Sequence, residues 1–476
     1  MKPAVVARLA AAVTVTVLVA LSGVARADVI REILIVENSK TTDDTVRYIA
    51  NIEEGDQWDQ EIQERVKRDL VSSGLFKQVD VFSERHPKGG GLRVTIIVKD
   101  KHSWVIAPTF YNQPTNTGGG IGFGENNLFG ENKKLLLYGQ VATGDTFFVG
   151  AYIDPSIAGT PVNWAADVFL RYERIIEYSA PTRYMIDDDH AVDPVRQSKM
   201  MYLNGGLKLG VTILRSLKLE QRIRGAKVAF YKNDLHKDTL DDQSLLCGAA
   251  CPTPQETDVE IGAGGLPEPG AEGWDFSTES VMTFDRRANW YGITTGSKLQ
   301  LAYETSVPGS DFDYWYSTFN FERAVRFFKK TNFIIRGLAG YGHDLPFQQE
   351  YTGGGTTLRG YENKMFRGDV KAAGNMEYSF PFFTIRGFAF RGLMFVDSSY
   401  VAFLDIEEDD TFRHYLPNAD LTQKNVSNLA PWKNSVGGGI RLYVRQIVLP
   451  LLGLDLGYGL ESGGVEVYFA IGITDS

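Results

Sequence analysis

The residues best placed to do specific chemistry in this chain are one cation and two carboxylates. Arg359 follows a run of three glycines in Gly353–Tyr361, GGGTTLRGY. Glycine accepts positive φ, so this stretch can double back tightly and plant the arginine at a fixed point. Glu377 lies in DVKAAGNMEYSF and Asp397 in GFAFRGLMFVD. Read as strands, both segments alternate, because successive strand side chains point to opposite faces. Val370, Ala372, Met376, Tyr378 and Phe380 share one apolar face, as do Phe388, Phe390, Met394 and Val396. Lys371, Asn375 and Glu377, and then Arg391, Phe395 and Asp397, fall on the opposite faces. A guanidinium can fork onto a carboxylate, which would pin the loop to a wall presenting Glu377 and Asp397. The competing arrangement is a loop arginine in water, which contributes almost nothing.

Catalytic patterns are missing. The six histidines form no H-x-x-x-H pair, and there is no G-x-S-x-G elbow or phosphate-binding loop. No enzyme activity, catalytic residue, metal or cofactor is therefore expected. Cys247 and Cys251 sit in CGAAC within a polar stretch. In an exported chain that spacing suits a small loop disulfide, whereas a metal would need more ligands than the nearby His236. A net charge of −10 argues against nucleic acid as a partner.

The wall that must hold these residues is long and β-rich. Residues 1–27 read as a signal peptide, with Lys2 and Arg8, an apolar stretch and Ala25-Arg26-Ala27 as the cleavage site. Beyond it no run approaches the roughly 18 consecutive apolar residues of a spanning helix. Residues 28–101 mix short strands with two helical patterns, the second carrying Ile62, Val66 and Leu70 on one face. Their β-α-α-β-β order predicts a small α+β domain, with Asp43 or Asp44 capping the first helix and Gly74 ending the second.

From residue 102 to 476 amphipathic strands follow one another, about sixteen in all, with Gly 49, Phe 28 and Tyr 22 in the chain. Short joins near 129–132, 155–161, 214–215, 287–291, 327–330, 381–383 and 446–448 alternate with long polar ones near 177–198, 232–273, 343–368 and 401–434. Even strand number, short turns on one rim and long loops on the other predict an all-β antiparallel transmembrane barrel. The small domain would hang from the short-turn rim, in the periplasm. Glu466, Tyr468 and Ala470 would face inward on the last strand, and Asp167, Arg171 and Glu173 on the fifth.

The segment EEGDQWDQEI to LVSSGLFKQVDV resembles a polypeptide-transport-associated (POTRA) domain. The barrel resembles the BamA/TamA superfamily of outer-membrane insertases and translocators, whose members include bacterial surface antigens. Leu358-Arg359-Gly360-Tyr361 matches its (V/I/L)-R-G-(F/Y) loop motif and Phe395-Val396-Asp397 its F-x-D strand motif. GNMEYSFP, GENNLFGENKKL and VGGGIRLYV resemble further family blocks. The resemblance implies an Arg359–Asp397 pair inside the barrel with Glu377 nearby. It also implies a Gram-negative outer membrane and its lipid bilayer, unfolded β-rich clients, and periplasmic accessory proteins or chaperones as partners. Two departures limit the transfer: a single POTRA domain, and an ITDS ending in place of a terminal aromatic residue.

Barrel closure must join the first strand to the last. Pro108 and Phe110 on the first, with Phe469 and Gly472 on the last, are expected to form a weak lateral seam. The glycines at 118, 120, 122 and 124 share one face of the next strand and would let a neighbour approach closely. An open edge at the seam could template an incoming client strand, received first by the POTRA edge near Lys77–Ser83. The alternatives are an outer-membrane pore or channel without insertase activity, or a surface antigen displaying its long loops.

Overall fold

The computed structural model describes residues 28–178, 194–214, 216–235, 270–290, 293–328, 330–386, 388–404, 432–444 and 450–471. The expected signal segment, His236, Cys247, Cys251, Gly472 and Ile473 lie outside the described residues. Residues up to Ser103, with Asn126–Lys133, form one unit; Trp104–Glu125 and the residues from Lys134 onward form the other.

In the first unit β1 (Asp28–Val36), helix α1 (Asp43–Ala50), β2 (Gln57–Trp58), helix α2 (Gln60–Ser72), β3 (Phe76–Arg85) and β4 (Leu92–Asp100) follow in order. The sheet runs β2-β1-β4-β3, with β1 and β4 parallel. Val46 of α1 and Val66 and Leu70 of α2 close over Ile30, Ile33, Val94 and Ile96 as one dry core. Two local readings change. A two-residue strand, β2, pairs with Asp28 and Val29. Thr42 rather than Asp43 or Asp44 caps α1, its side chain accepting from the Thr45 amide. Thr42 has the extended backbone a cap requires, while both aspartates lie inside the first turn, where they favour the helix dipole.

Asp100, at the end of β4, holds the loop before α1. Its carboxylate accepts from the amides of Ser39 at 2.6 Å and Lys40 at 2.7 Å, and from the Thr41 hydroxyl. Burial pushes this carboxyl's pKa up, but the Thr41 hydroxyl and the loop amides outweigh it and hold it below the usual value. A depressed folded pKa gives stability that is complete above the unfolded value near ~3.9 and fades as pH falls through the folded one. Asp100→Asn should cost about 1 kcal/mol at neutral pH, moderated by partial exposure. It should also flatten the acid dependence. Hydrogen exchange of the 39–41 amides between pH 3 and 6 reads both effects.

The second unit closes on itself. Its strands are β5 (Trp104–Gln113), β6 (Asn116–Leu128), β7 (Lys133–Ala142), β8 (Asp145–Asp154), β9 (Val162–Tyr178), β10 (Pro194–Leu214), β11 (Leu217–Leu235) and β12 (Gly273–Asp285). The short β13 (Ala288–Trp290) precedes β14 (Ile293–Ser306), β15 (Trp315–Phe327) and β16 (Thr331–His343). A small hairpin of β17 (Tyr351–Gly353) and β18 (Phe366–Gly368) then leads to β19 (Val370–Ile385), β20 (Phe388–Ala402), β21 (Lys433–Val444), β22 (Pro450–Gly459) and β23 (Val465–Ile471). Without β13 and the β17–β18 hairpin, sixteen antiparallel strands make the barrel, and β23 meets β5.

The outward face is apolar, with Val168, Leu207, Ile223, Met394, Leu456 and Val467 exposed, while Asp397, Asp455, Arg224 and Glu304 are buried on the other face. A lipid-facing charge near the midplane would cost on the order of 2–4 kcal/mol, which fixes this register. One expected turn moves. The chain does not reverse at 381–383; β19 runs past Pro381, with a register shift there, to Ile385. Phe383 pairs with Phe390 in this extension, their rings 4.5 Å apart, and that contact keeps the hairpin zipped. Gly118 and Gly120 do allow close approach: a Cβ on either would fall within 2.6 Å of the backbone or side chains of β7.

Candidate functional site

Strand register assembles one wall of the lumen before the loop arrives. Asn375 of β19 stands opposite Asp397 of β20, and Asp455 of β22 opposite Tyr468 of β23. The β17–β18 hairpin gathers the loop at its base, and Leu358 and Tyr361 anchor it apolarly against Phe366 and Val401. Arg359 is thereby carried inward, only 7 % exposed.

Each of its three guanidinium nitrogens donates. Nε donates to Asp397 Oδ2 at 2.8 Å and Nη2 to Oδ1 at 2.9 Å, the bidentate fork. Nη1 donates to Asp455 Oδ2 at 3.1 Å, and the Arg359 amide also reaches Asp397 Oδ2, at 3.2 Å. The planar cation lies on the Phe395 ring, Cζ 3.2 Å from its centroid. Asn375 donates to Asp397 Oδ1 at 2.5 Å, and Arg441 braces Asp455 with two bonds, at 2.5 and 2.7 Å. Asp397 is 1 % exposed, so each of these bonds acts away from bulk water.

Of the residues singled out by sequence, Arg359, Asp397 and Phe395 meet directly, while Glu377 stands off at 4.0 Å and lies nearer Arg336, at 3.7 Å. Asp455, Arg441 and Tyr468 complete the cluster and were not singled out as loop partners. Asp455 had a visible signal, a lone carboxylate in the apolar alternation of LLGLDLGYG. Gly360 (φ +99°) lies against β22 so closely that a Cβ would come within 2.5 Å of the Gly459 nitrogen. Tyr361 donates its hydroxyl proton to Glu461, whose carboxylate also accepts from the Asn434 amide at 2.7 Å.

The loop also grips the far side. Lys364 pairs with Glu173 of β9, eight strands round the barrel from β20. Arg367 donates to Glu350 at 2.6 Å and stacks on Phe347, Cζ 3.5 Å from the centroid. Phe347 itself is packed among Ile175, Met200, Val228 and Phe230. The Gln349 amide oxygen faces Arg224, 2.8 Å from two of its nitrogens, and Arg224 pairs with Glu304 at 2.6 Å and Asp275 at 3.2 Å. The segment 345–368 thus ties opposite walls together. Beside it remains a cavity of about 1440 Å³, with Arg287, Glu322, Arg336 and Glu377 among the residues that line it.

The barrel closes where β23 meets β5. Three pairs join them among the described residues, Phe469 with Asn112, Ala470 with Tyr111 and Ile471 with Phe110. Phe110 and Phe469 meet edge to face at 6.2 Å, and Pro108 sits within β5 opposite Ile121 of β6.

Known proteins share this architecture. BamA from Haemophilus ducreyi lacking POTRA domains 1–3 superposes with a TM-score of 0.64 at 16 % identity, over 94 % of this chain and 84 % of that one. CdiB from Acinetobacter baumannii gives 0.60 at 14 % identity, over 94 % and 74 %, and CdiB from Escherichia coli gives 0.57 at 12 %, over 94 % and 77 %. At these identities the likeness speaks for the fold. The sequence model of the Omp85 superfamily domain matches residues 127–469, well over half of the chain. The chain belongs to the Omp85 superfamily.

Proposed function

We propose that this protein inserts or translocates β-rich polypeptides at the outer membrane of a Gram-negative bacterium. The client enters through a lateral opening between β5 and β23, after capture by the POTRA domain in the periplasm. Membership of the superfamily supports insertion or translocation in general. The observation that carries the lateral route is that the barrel closes by pairing its first strand, which contains Pro108, with its last, at a seam where Phe110 and Phe469 meet edge to face. A strand edge released there offers unpaired N–H and C=O groups to an incoming strand. The role is non-enzymatic: client folding supplies the free energy and the barrel supplies a template. In the POTRA sheet β3 stands at the end of the strand order and offers a second edge of the same kind.

Cysteines at Phe110 and Ile471, opposite one another on the lipid face, test this in a background with Cys247 and Cys251 replaced by serine. The protein is placed in vesicles that resist spontaneous insertion, and a urea-denatured β-barrel client is added. Reduced protein should speed client folding; oxidised protein should fall to the rate of empty vesicles and recover with reductant. Equal rates in both states would sink the lateral route. The cavity, with charged residues from several strands in its lining, favours a second reading, a gated pore. Steady ion conductance with no client acceleration would select it.

A further inference from the structure

The arginine loop and the seam meet at one side chain. Tyr468 is 6 % exposed on the inner face of β23, opposite Asp455, the carboxylate shared by Arg359 and Arg441. Its hydroxyl accepts from the Gly360 amide at 3.0 Å and donates to the Tyr361 carbonyl, also at 3.0 Å. Both loop groups are backbone, so the bonds exist only while the loop lies in its seat. The next residue, Phe469, begins the pairing of β23 with β5. Facing that ladder from inside, Tyr111 accepts from Gln140 Nε2 at 2.7 Å, which ties the first strand to β7.

We propose that Tyr468 is a positioning residue that couples the loop to the seam. With the loop docked, its hydroxyl holds β23 at the point where pairing with β5 begins. When the loop withdraws, two hydrogen bonds are lost there at once, beside the first pairs of the ladder with β5. The cavity wall then has one strand free to part from β5 while β22 and β23 stay paired over seven residues. This inference rests on the lateral reading for its purpose, but its evidence is separate, because it predicts the state of a ladder and not the fate of a client.

The test is amide hydrogen exchange on the full chain in lipid nanodiscs, comparing wild type, Tyr468→Phe, Arg359→Ala and the double variant. The phenylalanine keeps the ring and removes only the hydroxyl, so the barrel should fold; its heat-resistant gel migration checks this. Tyr468→Phe should raise exchange about tenfold in 465–471 and 108–113, the scale of two net hydrogen bonds. Peptides from β15 and β16 should keep wild-type protection, and within the loop peptide 351–368 the increase should be confined to the Gly360 amide, which loses its acceptor. Arg359→Ala should raise the same seam peptides, and the double variant should add little beyond it. Unchanged seam exchange in Tyr468→Phe would overturn the coupling, as would an equal rise all round the barrel. A seam that loosens as expected while the Phe110–Ile471 tether leaves client folding untouched would instead defeat the lateral route and leave the coupling standing.

Discussion

Arg359→Ala should abolish client folding while leaving a closed barrel, and it should destabilise the loop by about 3–5 kcal/mol. The magnitude follows from what remains behind. Asp397, 1 % exposed, loses both guanidinium bonds and keeps only those from the backbone amide of position 359 and from Asn375. An uncompensated buried charge is far more costly than the net worth of the pair it came from. The Phe395 ring also loses its stacked cation. Lysine should not rescue: an ammonium cannot fork onto Asp397, reach Asp455 and lie flat on the ring together. Urea unfolding in lipid vesicles and exchange of the 355–361 amides measure the stability, and the client assay measures the function. Wild-type protection in that loop after Arg359→Ala would mean that Leu358, Tyr361 and the far-side grip hold it alone.

The barrel itself was legible because membrane strands have so little freedom. Alternation assigns each side chain to lipid or lumen, and a misplaced charge is too costly to tolerate, so Lys371, Glu377, Phe395 and Asp397 could be placed inward by parity. The pairing of Arg359 with Asp397 came from motif resemblance, and parity alone left Glu377 an equal candidate. Depth decides between them: Glu377 is register-paired with Phe395, two residues along the strand from the Asn375–Asp397 pair that receives the guanidinium. Register between strands distant in sequence is not written in alternation. Asp455 and Tyr468 reach the loop only because β22 and β23 close the wall beside β21, and Lys364 finds Glu173 only because the barrel curves round eight strands. The turn after β19 was missed for a local reason. Pro381 reads as a strand breaker, yet the register shift beside it accommodates the missing donor.

Gly457→Val should reproduce the loss of function of Arg359→Ala with every charged partner still in place. The loop's seat is a groove in β22, not only a set of ion pairs. A Cβ at Gly457 would lie 2.7 Å from the Arg359 carbonyl carbon and the Gly360 nitrogen, and 2.9 Å from the Arg359 Cβ. Two of these three atoms are backbone, so no rotamer change relieves the overlap, and either the loop or the strand must move. Valine favours β22 as a strand, which leaves the barrel intact and throws the displacement onto the loop. Overpacking of this kind costs about 3 kcal/mol, comparable with the unpaired carboxylate left by Arg359→Ala. Gly374→Ala on β19 is the control, since its Cβ would meet nothing closer than the Arg336 carbonyl oxygen at 4.0 Å. Loop exchange and client folding should collapse in the first variant and hold in the second. Normal client folding with an exposed loop in Gly457→Val would separate docking from function and show that insertion does not require the arginine in its seat.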